Sequence, residues 1–535
     1  MEVVALFLVS LLTRFVFLYF GYPSITHDEA DYFLNSYLFA KTGSDIFSNK
    51  FFLTSGILNA TSAIPVYLGS LIYFFTNKSV IVGRLPYAIL NSLIPVLFYL
   101  ILLKLTKNKT FSLIGFTVLN FSPWFSYLSS MSSIDAPTAL VFYLIAIFII
   151  LSSMNPLLKY FLFITSLFFS FNSYMGIKTI FLFLIFIALL TKNIYYKNKL
   201  FFKTIVRDLL YSLIIFVTFF IITWISPVSQ NFQYRLKDKI LPLNTNLISK
   251  SVDTLREMSL GPILIRYFIH NKFTVTSNMF LDKYMQAFNP NILFVKGDTS
   301  SLYGTNLFGL FYLFDAIFIV LGFLFFRDLF KKNLTLIIPF ILILITTPLT
   351  IGIMVDSPTI SLRGYPLIIS YSFFISCGVY YLLNQIIKNN KMISAIVFLL
   401  YLTGFIYFFA LYRTTIRYTS GEQWHINEKR LIDKISLIKQ ESNKKIFVYV
   451  NDPKETLLLY LFYKNNDPKL IKQIINSGKF AIDNIYFSDQ CPQLKISDSI
   501  QIMQSERCPV NQKVFKEKVF INTEIPKGST YLLLN

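Results

Sequence analysis

From residue 3 to about residue 412 the chain is a succession of apolar runs, many close to the ~20 residues that carry a helix across a bilayer. Lipid offers no hydrogen bonds, so a chain that repeatedly enters it must satisfy its own backbone, as a helix does. With 54% hydrophobic and only 14% charged residues, the chain has too little charge to cover a soluble surface of this size. The expectation is a mainly α, polytopic membrane protein. Its spans are placed at 3–20, 82–103, 111–128, 136–152, 158–173, 177–191, 208–225, 307–326, 334–352, 364–384 and 392–411, about eleven transmembrane helices.

The net charge of +21 would suit a nucleic-acid binder if it formed one surface, but it does not. Lys104, Lys107, Lys109, Lys192, Lys197, Lys199, Lys203, Arg207, Arg327, Lys331, Lys332, Lys388 and Lys391 fall in alternate short connectors, as cytoplasmic loops require. The charge is therefore an orientation signal, and no nucleic acid is expected as a partner. The N-terminus is expected in the cytoplasm. The first run contains Arg14 and no small-residue cleavage site, so it reads as a retained span. An arginine there costs about 2.5–3.5 kcal/mol on insertion scales, so it should face the bundle.

Segments 21–81, 226–306, 353–363 and 412–535 then lie outside. The stretch "IPVYLGSLIYFFTN" (64–77) is too short to span and suits an interfacial helix. In the tail the apolar runs shrink to strand length, as in "KKIFVYVN" (444–451), "NIYFS" (484–488) and "KVFIN" (518–522), with amphipathic stretches near 426–441 and 453–475. A small α/β extracytoplasmic domain is expected there. In an oxidising space Cys491 and Cys508 are a plausible disulfide, whereas Cys377 lies in an apolar run.

One stretch stands out chemically: "SITHDEADYF" (24–33) places Asp28, Glu29 and Asp31 directly after the first span. Asp135, in "SSMSSIDAPTAL", is a further acid expected on the same side. Carboxylates at this depth can take a proton in a wet cavity or hold a divalent cation. They can equally be helix caps: Asp28 as an N-cap with Glu29 in the first turn, and Asp135 as an N-cap before Pro137. If Asp28 starts a helix, Asp31 and Tyr32 share its face and Glu29 points elsewhere, so the two neighbours should differ in role. Lys178 in "SYMGIKTIF", Arg363 in "SPTISLRGYP" and Arg84 in "VGRLPYAIL" are basic residues on the outer side, against the orientation trend. Snorkelling to headgroups is one reading and a clamp for an anionic lipid phosphate is the other. There is no phosphate-cradling glycine loop, no nucleophile elbow and no clustered Cys/His pattern. The histidines His27, His270 and His425 are widely spaced, which argues against a histidine-based metal site.

These segments together resemble the GT-C class of membrane glycosyltransferases, namely the bacterial and archaeal relatives of dolichyl-phosphate-mannose–protein mannosyltransferases and of aminoarabinose transferases. The resemblance is carried by "RFVFLYFGYPSITHDEADYFLNSYLFAKTGSDIF", "IPVYLGSLIYFF" followed by "VGRLPYAILNSLIPVLFY", "FSPWFSYLSSMSSIDAPTAL", "FFSFNSYMGIKTIFLFLIF", "DSPTISLRGYPLIISYSFFISCGVY" and "GEQWHINEKRLIDKI". It implies a GT-C fold over 1–411 with outer juxtamembrane helices, followed by the extracytoplasmic domain 412–535. It further implies inverting transfer of a sugar from a polyprenyl-monophosphate donor to a protein, lipid or glycan acceptor at the outer face of the cytoplasmic membrane. By position Asp28 is the general base, Glu29 fixes the loop, Asp135 orients the acceptor or shares a divalent cation with Asp28, and Lys178, Arg363 and Arg84 bind the donor phosphate. A lysine stands at 178 where the resemblance leads one to expect arginine. The rival class is a transporter or flippase for a lipid-linked or anionic substrate, but the notable charges gather at one membrane face and no internal repeat is evident.

Overall fold

Helix formation follows the apolar runs closely. A computed structural model of the chain describes residues 1–21, 24–56, 61–129, 134–197, 202–226, 239–300, 302–329, 334–355, 359–386, 391–416, 419, 424–491, 499–504, 508, 517–518 and 531–534. Lys199, Lys331, Lys332 and Lys388 lie outside these residues, as does most of the strand expected at 518–522. Seven helices among the described residues are long and apolar enough to cross a membrane: Glu2–Tyr19, Val80–Thr106, Gly176–Tyr195, Phe202–Ile225, Leu334–Gly352, Leu367–Asn384 and Ala395–Ile416. The expected spans at 136–152, 158–173 and 307–326 correspond to the shorter apolar helices Asp135–Ile150, Pro156–Phe171 and Asp315–Phe326. The expected span 111–128 is broken. Lys109–Phe121 ends at Ser122, whose extended backbone and side chain cap a new helix opened by Pro123. The protein is thus a multi-pass membrane protein.

The chain divides into two compact units. The first comprises Met1–Phe17 and Ala88–Phe409. At its centre the helices Asp315–Leu329 and Leu367–Tyr381 cross at glycines. A Cβ on Gly378 would sit 1.9 Å from the carbonyl oxygen of Phe318, and one on Gly322 would sit 2.0 Å from that of Phe374. Lipid supplies no hydrophobic drive between helices, so such backbone approach is what holds them. Arg14 is completely buried in this unit. Its guanidinium donates to the carbonyls of Phe125 (3.2 Å) and Asn120 (3.0 Å) and to the hydroxyl of Ser129 (2.6 Å). It also lies 4.1 Å from the Phe125 ring centroid. The arginine therefore faces the bundle and serves the polar backbone around the Ser122 break, where helical hydrogen bonding is interrupted.

The second unit comprises Leu18–Tyr87 and Ala410–Asn535. Its tail portion is α/β, as its short apolar runs suggested. In sheet order the strands are Ala481–Ile482, Ile485–Ser488, Lys445–Tyr449, Ser499–Gln504, Tyr531–Leu534 and Glu517–Lys518. Lys445–Tyr449 runs parallel to both of its neighbours, and the outer pairings are antiparallel. The helices are Ile426–Glu441, Pro453–Lys464 and Pro468–Ser477; the last two replace a single expected stretch because Asp467 caps afresh before Pro468. Cys491 and Cys508 are bonded, and Cys377 is buried in the other unit. The short helix Ala63–Tyr73 covers most of the stretch 64–77.

Within this unit the helix His27–Thr42 packs on Pro453–Lys464 and Pro468–Ser477. Tyr37 donates to the carbonyl of Asn466 at 2.6 Å, Lys472 reaches the Ser44 hydroxyl at 2.7 Å, and Lys78 donates to the carbonyl of Leu461 at 2.7 Å. These contacts bind the acidic turn of the first loop to the tail.

Candidate functional site

The helix His27–Thr42 begins with a capping box. Thr26 accepts from the backbone N–H of Glu29 at 3.1 Å, and Glu29 accepts from that of Thr26 at 3.2 Å. The cap is thus Thr26, and the reading of Asp28 as N-cap is corrected: the Ser/Thr-x-x-Glu pattern was present in "THDE" and outcompetes it. Asp28 sits in the first turn with its side chain one third exposed, whereas Glu29 is buried. Asp31, also buried, accepts from the Asn35 amide at 2.9 Å.

Arg84, on the helix Val80–Asn91, meets Glu29 with two hydrogen bonds, both 2.7 Å, from Nε and an Nη to the two carboxylate oxygens. The same Nη donates to the Ser24 carbonyl at 2.8 Å, and the Trp424 ring centroid lies 5.2 Å from the guanidinium carbon. Both side chains of the pair are 2% exposed. Burial pushes the Glu29 carboxyl above its ordinary range, with the Arg84 contacts pulling against that shift. Arg84 was expected among the phosphate binders; in the structure its fork is engaged by Glu29 and Ser24. The pair fixes the turn from both sides and leaves Asp28 at its wet edge.

Beside Asp28 stand groups that sequence reasoning kept apart. Nε2 of His27 is 3.4 Å from Asp28 Oδ1, and its Nδ1 is 3.8 Å from Glu455 Oε1. His425 lies 3.1 Å from that same glutamate oxygen and 3.7 Å from Glu428. Burial works against a proton on His425, but Glu428 and Glu455 outweigh it and hold the imidazolium up to about 10. Burial likewise raises Glu455, yet His425 brings it below the ordinary range. One ligand atom each from His27, His425 and Glu455 lie within 4.8 Å of one another, a group able to hold a metal ion. The wide sequence spacing of the histidines was therefore no argument against a metal site: the fold brings two of the three together.

Asp135, Lys178 and Arg363 belong to the first unit. Asp135 is the first residue of Asp135–Ile150 rather than its cap, and it accepts from the Ala136 N–H at 2.8 Å. Lys178 lies in the turn Gly176–Ile180, 5% exposed, its ammonium 5.0 Å from the Phe171 ring centroid. That turn packs against Asp135–Ile150 and against the short helix Leu349–Gly352. Leu349–Gly352 in turn packs on Ile360–Arg363, which ends at Arg363. The two basic residues and Asp135 are thus linked through consecutive elements.

Asp298 was overlooked in the sequence. Buried at 1% exposure, it accepts from the Ser361 N–H at 2.9 Å and hydroxyl at 2.8 Å, and from the Ser300 N–H at 3.1 Å. Trp124 donates to the Ser361 carbonyl at 2.8 Å. These bonds anchor the turn that carries Arg363. The only signal was a lone acid in "KGDTS", which looks like any polar loop.

No family model and no curated protein matches the sequence. Among solved structures, ArnT from Cupriavidus metallidurans bound to undecaprenyl phosphate is similar with a TM-score of 0.53 and 13% identity, over 99% of this chain and 98% of that one. The same protein in the apo state aligns at a TM-score of 0.45 and 12% identity, over 99% of this chain and 97% of that one. Archaeal oligosaccharyltransferase AglB from Archaeoglobus fulgidus, in complex with an inhibitory peptide and a dolichol-phosphate, aligns at 0.46 and 12%, over 94% of this chain and 69% of that one. At 13% identity what is shared with the undecaprenyl-phosphate-bound ArnT structure is the fold, and the likeness extends over nearly the whole chain.

Proposed function

We propose that this protein is an inverting glycosyltransferase that moves a sugar from a polyprenyl-monophosphate donor to an acceptor hydroxyl, amine or phosphate at the outer face of the cytoplasmic membrane. The observation that carries the reading is the division of labour between adjacent carboxylates. Glu29 is buried and locked by Arg84, while Asp28 on the same turn is held at the water edge. A turn built this way presents one carboxylate in a fixed place. The fold likeness to an undecaprenyl-phosphate-bound transferase supports the reading.

In the proposed reaction an acceptor O–H loses its proton to the Asp28 carboxylate as its oxygen attacks the anomeric carbon. The bond from that carbon to the donor phosphate breaks on the opposite side, so the configuration inverts. The phosphate leaves with added negative charge, which Lys178 and Arg363 stabilise; Arg84 and Glu29 position the base. Asp135 orients the acceptor. The N-terminus is cytoplasmic in this scheme, 1–411 forms the membrane domain, and 412–535 lies outside.

The donor side is tested by measuring binding of undecaprenyl and dolichyl monophosphate to the purified protein. Lys178→Ala and Arg363→Ala should each weaken binding or, with sugar attached, slow transfer by roughly 10²–10³, as loss of a charge-stabilising donor does. Unchanged binding and transfer in both variants would remove these residues from the site.

A further inference from the structure

Three separate stretches of the second unit converge on one oxygen. His27 Nδ1 is 3.8 Å and His425 Nε2 is 3.1 Å from Oε1 of Glu455. A tetrahedral ion with bonds of about 2.0–2.2 Å keeps its ligands roughly 3.3–3.6 Å apart; the two histidine–glutamate separations bracket that value, and all three ligand atoms lie within 4.8 Å of one another. The outward nitrogens are placed just as tellingly. His27 Nε2 faces Asp28 at 3.4 Å, and His425 Nδ1 faces Glu428 at 3.7 Å. Each imidazole therefore turns one nitrogen to the shared glutamate and the other to a carboxylate of its own, the arrangement by which carboxylates orient ligating histidines.

A plain ion-pair cluster is the competing account. In that account His425 Nε2 is simply paired with Glu455 at 3.1 Å, and the two accounts differ in whether an ion can take the place of the proton between them. His425 also holds a left-handed backbone, φ +49°, which a non-glycine residue seldom adopts. A metal ion would use that nitrogen, displacing its proton.

We propose that His27, His425 and Glu455 form a divalent metal site of zinc type, with an open fourth position, that fastens the tail to the turn bearing Asp28. Two imidazoles and one carboxylate suit zinc better than magnesium or calcium, which prefer oxygen. The site does not depend on the transferase reading, and either can fail alone.

The test uses full-length protein in detergent, stripped with a chelator and then titrated with zinc alone or with cobalt as a spectroscopic probe. Wild type should bind one ion per chain, give the visible absorption of tetrahedral cobalt, and melt at a higher temperature with zinc than without. His425→Ala and Glu455→Gln should lose all three responses. Glu428→Gln, which leaves the ligands in place, should bind about 10–100-fold more weakly. Agreement between the circular dichroism of the variants and that of stripped wild type shows that they are folded. No ion in wild type, or equal binding in the ligand variants, would overturn the site and leave the ion-pair cluster.

Discussion

Arg84 grips Glu29 through both carboxylate oxygens at 2.7 Å, and neither side chain is more than 2% exposed. Removing one partner of such a pair strands a buried charge, which costs about 3–5 kcal/mol. Arg84→Ala should therefore unfold well below wild type in a detergent melt, and Arg84→Lys should recover only part of the loss, because an ammonium cannot reproduce the fork. The double variant Glu29→Leu, Arg84→Met should recover much of the stability yet transfer sugar poorly, since the turn that presents Asp28 is no longer tied down. Full transfer by the stable double variant would deny the pair its positioning role.

Asp298 acts on Arg363 through Ser361. Asp298→Ala leaves two Ser361 donors without their acceptor, at a cost of about 1–3 kcal/mol. The expected signature is weaker binding of polyprenyl monophosphate. Asp298→Asn, which keeps an acceptor oxygen, should rescue most of that binding. Equal losses in the alanine and asparagine variants would point to the charge rather than the anchoring.

At the central crossing, Gly378→Leu drives a side chain against the rigid backbone at Phe318. Overpacking of this kind costs about 1–3 kcal/mol, occasionally more, and no rotamer relieves it. The variant should show a lowered melting temperature and reduced yield of folded protein, whereas Cys377→Ser, one residue earlier, should be milder. The comparison isolates backbone approach from general core disturbance.

The Cys491–Cys508 bond closes a loop of 17 residues in sequence separation, and a loop of about this length contributes ~3 kcal/mol. Maleimide should not label the native protein, since the remaining cysteine, Cys377, is buried. One label is expected after denaturation and three after reduction. Labelling of the tail in unreduced protein would contradict both the bond and an oxidising location for the tail.

The apolar runs made the membrane architecture legible because span length is set by the bilayer, and the strand-length runs of the tail marked its α/β character. Local breaks were less visible: the serine–proline step at 122–123 lies inside an unbroken apolar stretch. In the site, the different fates of Asp28 and Glu29 followed from helical geometry, and "THDE" carried the cap in plain sight. What could not be read was pairing at a distance. Arg84 looks like any snorkelling arginine until Glu29, 55 residues away, is placed against it. The same holds for His425 and Glu455, whose only link to His27 is the docking of tail helices on the first loop.

The most direct test compares wild type with Asp28→Asn, following sugar release from a panel of polyprenyl-phosphate sugars in parallel with donor binding. Asparagine preserves the shape of the side chain but cannot accept the acceptor's proton. The expected result is donor binding close to wild type with transfer reduced by roughly 10²–10⁴, the usual contribution of a positioned base. Equal transfer by both proteins would contradict the account at its centre, because Asp28 would then have no part in the chemistry.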